Sequence, residues 1–92
     1  MRIKSILIEK LTRALAPIRL EVVDESSRHA GHAGARPEGE THFRIEVVSN
    51  SFRGLNRVAR QRMVYDLLAE ELKTRVHALS LSALTPEEDA ER

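Results

Sequence analysis

Four histidines and a short run of arginines are the side chains in this 92-residue sequence with chemistry to offer. His29 and His32 are spaced as H-A-G-H among small residues, which let a backbone come close to a bulky ligand. His42 begins a stretch of alternating apolar and polar residues. His77 lies in Met63–Leu81, MVYDLLAEELKTRVHALSL, where a helical pattern ends in Lys-Thr-Arg and passes into a strand. An imidazole there stands where backbone geometry is fixed and solvent is near. Imidazole is a common metal ligand and needs no thiol partner. There is no cysteine, so thiolate nucleophiles, thiolate ligands and disulfides are all excluded. A zinc site from His29, His32 and His77 is one arrangement. A catalytic zinc would also want a base, and no spacing selects Glu38 or Glu40 for it. The ordinary fate of a loop histidine is solvation, and of a histidine at a strand start, packing.

Arg53, Arg57, Arg60 and Arg62 fall in a segment without an acid. The first three can share one side of a helix start through neighbours three and four residues apart. Such a patch after a glycine turn can grip phosphates or an acidic partner, and it is equally the pattern of a solvated basic face. Cations oppose the dipole at that helix end, so something must offset the cost. No aromatic residues interleave the arginines, which weakens single-strand binding by stacking. Net charge is only +1, from 15 basic and 14 acidic residues, and gives no general nucleic-acid signal. G-x-S-x-G and Gly-rich phosphate loops are lacking, and Glu70-Glu71 beside Lys73 reads as surface charge. No enzyme is read from these residues.

The elements that position these groups follow from periodicity. Ile3, Ile6, Leu7, Leu11 and Leu15 make the apolar stripe of a first helix, which Pro17 stops. Its basic, amphipathic character resembles a transit peptide, but Glu9 lies within it and Pro17 leads directly into a strand, so it is read as part of the fold. Arg19–Asp24 is the first strand. Residues 25–41, ESSRHAGHAGARPEGET, form a long glycine-containing loop of the kind that is usually functional or disordered. His42–Ser49 alternates, with Phe43, Ile45 and Val47 pointing one way. Asn50-Ser51 suits a turn. A helix over Asn56–Lys73 buries Val64, Leu67, Leu68 and Leu72, and Val76–Ser82 is the third strand. Thr85-Pro86-Glu87-Glu88 has the layout of a capping box opening a short acidic helix. The order α-β-β-α-β-α makes a single domain over residues 1–92, a two-layer α+β sandwich with helices on one face of a three-stranded sheet. No apolar run reaches the roughly 18–20 residues of a membrane span, and a cytoplasmic protein is expected.

An ordered set of segments resembles the BolA family: Leu20–Ser26 (LEVVDES), His29, Thr41-His42-Phe43, Val47-Val48-Ser49, Phe52-x-Gly54, Arg60-x-Arg62-x-x-Tyr65, Leu68–Leu72 (LAEEL), Val76–Leu79 (VHAL) and Thr85–Glu88 (TPEE). The match runs over about residues 3–88. The resemblance implies a fold akin to the class II KH domain, and no enzyme activity. It implies partnership with a monothiol glutaredoxin around a bridging [2Fe-2S] cluster, for which the partner supplies a cysteine and glutathione. The family's histidine near the start of the third strand is His77 here. A loop ligand falls on His29, with His32 as the alternative. Alone, the chain is expected as a monomer or weak homodimer without cofactor. The alternative implied by some family members is a DNA-binding transcriptional regulator of stress response and cell morphology, using Arg53, Arg57, Arg60 and Arg62. The chain departs from the family where Arg60-Gln61-Arg62 replaces Arg-His-Arg. Asp89 follows T-P-E-E in place of a large residue such as tryptophan, which predicts a weakly docked last helix. A G-x-x-G loop is not evident, which counts against the DNA reading.

Overall fold

The computed structural model describes residues 2–25 and 41–92, so the expectations for His29, His32, Glu38 and Glu40 lie outside the described residues. Helix α1 spans Ile3–Leu15, and its buried residues Ile3, Leu7, Leu11 and Leu15 recur every fourth position, the stripe read from the sequence. It ends at Ala16, held in the left-handed region at φ 43° while its N–H donates to the Thr12 carbonyl. Strand β1 is Arg19–Asp24 and β2 is His42–Val48, paired antiparallel from Arg19 opposite Val48 to Asp24 opposite Phe43. Strand β3, Ala78–Leu84, returns parallel to β2, giving the order β1-β2-β3. The central strand sends Phe43, Ile45 and Val47 into the core at 2% exposure or less. Ile3, Leu7, Leu11 and Leu15 of α1 join these residues in one core cluster, the two-layer arrangement expected.

Four boundaries differ from the sequence reading. The long helix divides into α2, Arg57–Leu67, and α3, Ala69–Thr74. The break is at Leu68 (φ −106°, ψ 16°), whose side chain is buried in the core and whose amide is shared between the Asp66 and Val64 carbonyls. The turn lets α3 carry Glu71 to Lys10 of α1, a 2.9 Å ion pair with the carboxylate almost fully enclosed. Strand β3 starts two residues later than Val76, because the Val76 amide still donates to the Glu71 carbonyl (2.8 Å) as the end of the helical turn. It also runs on past Ser82, because Leu84 is held by the Ser49 amide (2.9 Å). Ser49 itself leaves the strand to cap a 3-10 turn over Asn50–Phe52.

After that turn Gly54 sits at φ +80°, and a Cβ there would meet nothing within 4 Å, so only backbone strain selects glycine. Ala16 occupies the same region without that freedom. A matched pair of substitutions tests this. Gly54→Ala is expected to cost about 1–2 kcal/mol, and Ala16→Gly to gain roughly 0.5–1 kcal/mol, in urea titrations with unchanged m-values.

Candidate metal-ligating and partner-binding site

His77 stands at the corner between α3 and β3, one residue before the strand rather than inside it. Val76 anchors the corner, being only 4% exposed. The His77 amide donates to the Thr41 carbonyl at 2.7 Å, and the Ala78 amide reaches the same oxygen at 3.3 Å. The backbone is therefore fixed on both sides of an exposed imidazole. His42 opens the neighbouring strand, opposite Ala78, and its ring centroid lies 6.3 Å from that of His77 with a 42° tilt. Buried Thr41 places its hydroxyl 2.8 Å from Nδ1 of His42. That contact orients the ring, with the direction of the proton set by the tautomer.

Two imidazoles on one tetrahedral ion have centroids about 5 Å apart, given metal–nitrogen bonds near 2.1 Å. The two rings as they stand are wider apart than that. Among the described residues there is no group of three or more His, Cys, Asp or Glu able to hold a metal ion. A zinc site would thus need a ligand from outside them. The pairing of His42 with His77 was not read from the sequence. The signal was the parallel register, which puts the residue after Thr41 beside the residue before Ala78.

The arginines do not form one open patch. Arg60 is only 9% exposed. It donates to the carbonyls of Leu55 (2.8 Å) and Ala83 (3.1 Å) and to the Glu88 carboxylate (2.6 Å), with its guanidinium over the Phe52 ring. Arg53 is exposed and pairs with Glu87. Arg57 and Arg62 remain exposed on α2, without an ion pair among the described residues. The acids that answer the first two belong to α4, Pro86–Ala90, whose Thr85–Glu88 capping box is formed as the sequence predicts. This helix is tied down more firmly than the loss of a large residue at Asp89 suggests. Asp89 bonds Arg19 at 2.6 Å, so all three consecutive acids face an arginine.

Residues 11–88 match the model of the BolA family, described as BolA-like protein. This chain belongs to the BolA-like family. It is 48% identical over 88 residues to the DNA-binding transcriptional regulator BolA of Escherichia coli, covering 96% of this chain and 80% of that one. It is 51% identical over 82 residues to the chloroplastic protein BOLA1 of Arabidopsis thaliana, covering 87% of this chain and 51% of the relative. The BolA domain of SufE1 from Arabidopsis thaliana superposes with a TM-score of 0.83 at 48% identity, covering 92% and 93% of the two chains. This BolA-like chain spans about half the length, or less, of several curated relatives it matches. Among the described residues no helix is long and apolar enough to cross a membrane.

Within this BolA-like fold, Arg60 and Arg62 resemble each other in sequence and differ in place, and stability separates them. Arg60→Ala is expected to cost about 2–4 kcal/mol in denaturant titrations, and Arg62→Ala less than about 0.5 kcal/mol. Acid gives a second reading. Hydrogen bonding from Arg60, and from the Thr85 backbone, holds the Glu88 carboxyl down at about 2. A carboxyl lowered on folding stabilises fully above its unfolded value and loses that contribution as pH falls through the folded one. Stability should therefore decline from about pH 5 to pH 2, and Glu88→Gln should make that decline shallower in urea titrations across the range.

Proposed function

We propose that this BolA-like chain is a non-enzymatic partner of a monothiol glutaredoxin, sharing a bridging [2Fe-2S] cluster with it in cluster trafficking or iron and redox regulation. The observation that carries this reading is His77, an exposed imidazole on a hydrogen-bonded backbone in a chain that has no thiol. Nitrogen donors of this kind fit a cluster whose other iron is held by the partner's cysteine and glutathione. His77 is assigned as one ligand and His29 as the second, with His32 as its alternative. Two imidazoles on one iron would raise the reduction potential relative to four thiolates. The compartment in this reading is the cytoplasm, although two Arabidopsis thaliana relatives bear organellar names, one chloroplastic and one chloroplastic/mitochondrial.

The test is visible absorption and circular dichroism after reconstitution with a monothiol glutaredoxin, glutathione, iron and sulfide. A spectrum distinct from that of the glutaredoxin alone is expected, and His77→Ala should abolish it. His29→Ala and His32→Ala identify the loop ligand. A loss with His42→Ala instead would move the second ligand to the ring beside His77. Because an imidazolium cannot ligate, the mixed spectrum should fade on acidification. No change on mixing would remove this reading.

A second reading, DNA binding, rests on the name of the Escherichia coli relative and on exposed Arg57 and Arg62. Arg53 and Arg60 are already answered by acids and contribute little to it. If these two arginines are the contacts, the logarithmic salt dependence of duplex binding has a slope of roughly −2, and Arg57→Ala with Arg62→Ala removes it.

A further inference from the structure

Strand β3 is an edge of the sheet, and its backbone groups divide by parity. The Leu84 carbonyl accepts from Ser49 and so faces the interior of the sheet, as do the groups of Ser80 and Ser82. Those of Leu79, Leu81 and Ala83 face outward. Two outward carbonyls are covered from α2: the Tyr65 hydroxyl donates to Leu79 at 3.3 Å, and Arg60 donates to Ala83 at 3.1 Å. Leu81, midway between them, has neither its outward N–H nor its C=O matched among the described residues. Beside it lies a cleft of about 340 Å³ between Arg57 and Gln61 of α2 and Leu81–Leu84 of β3. Arg60 lines the same cleft with its charge answered by Glu88, so the positive charge left there is that of Arg57.

We propose that this cleft is a docking groove for a short extended peptide segment carrying an acidic residue. The segment adds to the edge of β3, exchanges both hydrogen bonds with Leu81, and sets an aspartate or glutamate against Arg57. An antiparallel neighbour makes such a double exchange at every second residue, and one open position between two covered carbonyls fits one exchange. The hydrogen bonds are indifferent to sequence, so selection falls to Arg57 and to Gln61 next to it. The covers at Leu79 and Ala83 also limit further strand pairing along this edge. The segment is held briefly and weakly. The groove lies toward the end of β3 away from His77 and does not depend on a metal there.

Amide spectra of the 15N-labelled chain give the test. The probe is a blocked pentapeptide, threonine-valine-glutamate-valine-threonine. Shifts at the Leu81 and Ala83 amides, and slower hydrogen exchange at Leu81, are expected. Lysine in place of the peptide's glutamate should weaken binding roughly tenfold, and Arg57→Glu should reverse that preference. N-methylation of the central peptide amide should abolish the shifts. The proposal is overturned if no shifts occur at millimolar peptide, if the N-methylated peptide binds as well, or if Arg57→Glu leaves the preference unchanged. It is likewise overturned if a short single-stranded oligonucleotide moves the same amides more than the peptide does, which would make the cleft a phosphate site.

Discussion

The register between β2 and β3 is the constraint on which the rest of the molecule depends. Parallel strands cannot be joined by a tight turn, so their alignment has to be set by the elements at their ends. At one end the Thr41 carbonyl takes the amides of both His77 and Ala78; at the other the Ser49 amide takes the Leu84 carbonyl. Between these clamps every residue from His42 to Val48 has a fixed partner from Ala78 to Leu84. A slip of one residue would turn Leu79, Leu81 and Ala83 away from the helices and place serines in the core. Ser49 extends the constraint to a third element. Its hydroxyl, fully buried, donates to the Leu15 carbonyl at 2.6 Å and accepts from the Ser51 amide at 3.0 Å. One side chain thereby joins the end of α1, the end of β2 and the turn toward α2. Losing it would strand the Leu15 carbonyl in the interior, a larger penalty than the net worth of that bond, and would also remove the cap on the Ser51 amide.

The last helix is held by a different kind of force. With five residues it is too short to persist by itself, and none of its residues is buried. Its capping box satisfies the first turn, and its three acids meet Arg53, Arg60 and Arg19. Arg19 also reaches Glu46 at 2.5 Å, and Arg92 meets the same carboxylate at 2.9 Å. Arg92 and Arg19 together hold the Glu46 carboxyl below its ordinary value, with burial opposing them. Exposed pairs of this kind each contribute little. Arg60 is the exception, because its head is enclosed and also fills two carbonyls that would otherwise lack donors. It resolves the oddity of a cation near a helix start: the charge is turned away from the helix and spent on the β3–α4 junction.

What could be read from the sequence was whatever is local. The four-residue rhythm from Ile3 to Leu15, the alternation around Phe43, Ile45 and Val47, and the Thr85–Glu88 box each depend on neighbours within a turn or two, and each was found in place. The element order followed from them, and the BolA-like fold from the resemblance of an ordered set of segments. The helix break at Leu68 was not legible, since no proline or glycine marks it and its cause is where that side chain is buried. Nor was the start of β3, where Val76 looks like a strand residue but its amide belongs to the turn of Glu71. The arginines failed as a group for the same reason. Arg60 and Arg62 are alike in a string of letters, and only the distant acceptors at Ala83 and Glu88 tell them apart. The His42–His77 pair needed the parallel register, which composition does not encode. His29 and His32 fall outside the described residues.

These observations make β3 a strand with three unlike regions. Its beginning offers a side chain, because the corner before it is pinned through the backbone and His77 is left to face solvent. Its middle offers backbone, at Leu81. At its end the carbonyls are engaged, that of Ala83 by Arg60 and that of Leu84 by Ser49, and α4 follows at once. The length from Ala78 to Leu84 is about 20 Å at the usual rise of a strand. Groups that far apart, with no shared partner, respond to change almost independently. Loosening α4 therefore alters the edge near Ala83 and leaves the clamp at Thr41 intact, while removing His77 leaves the electrostatic lock untouched. The exposed imidazole and the open backbone of Leu81 thus stand at different stations of one edge strand, with the register against β2 holding the distance between them.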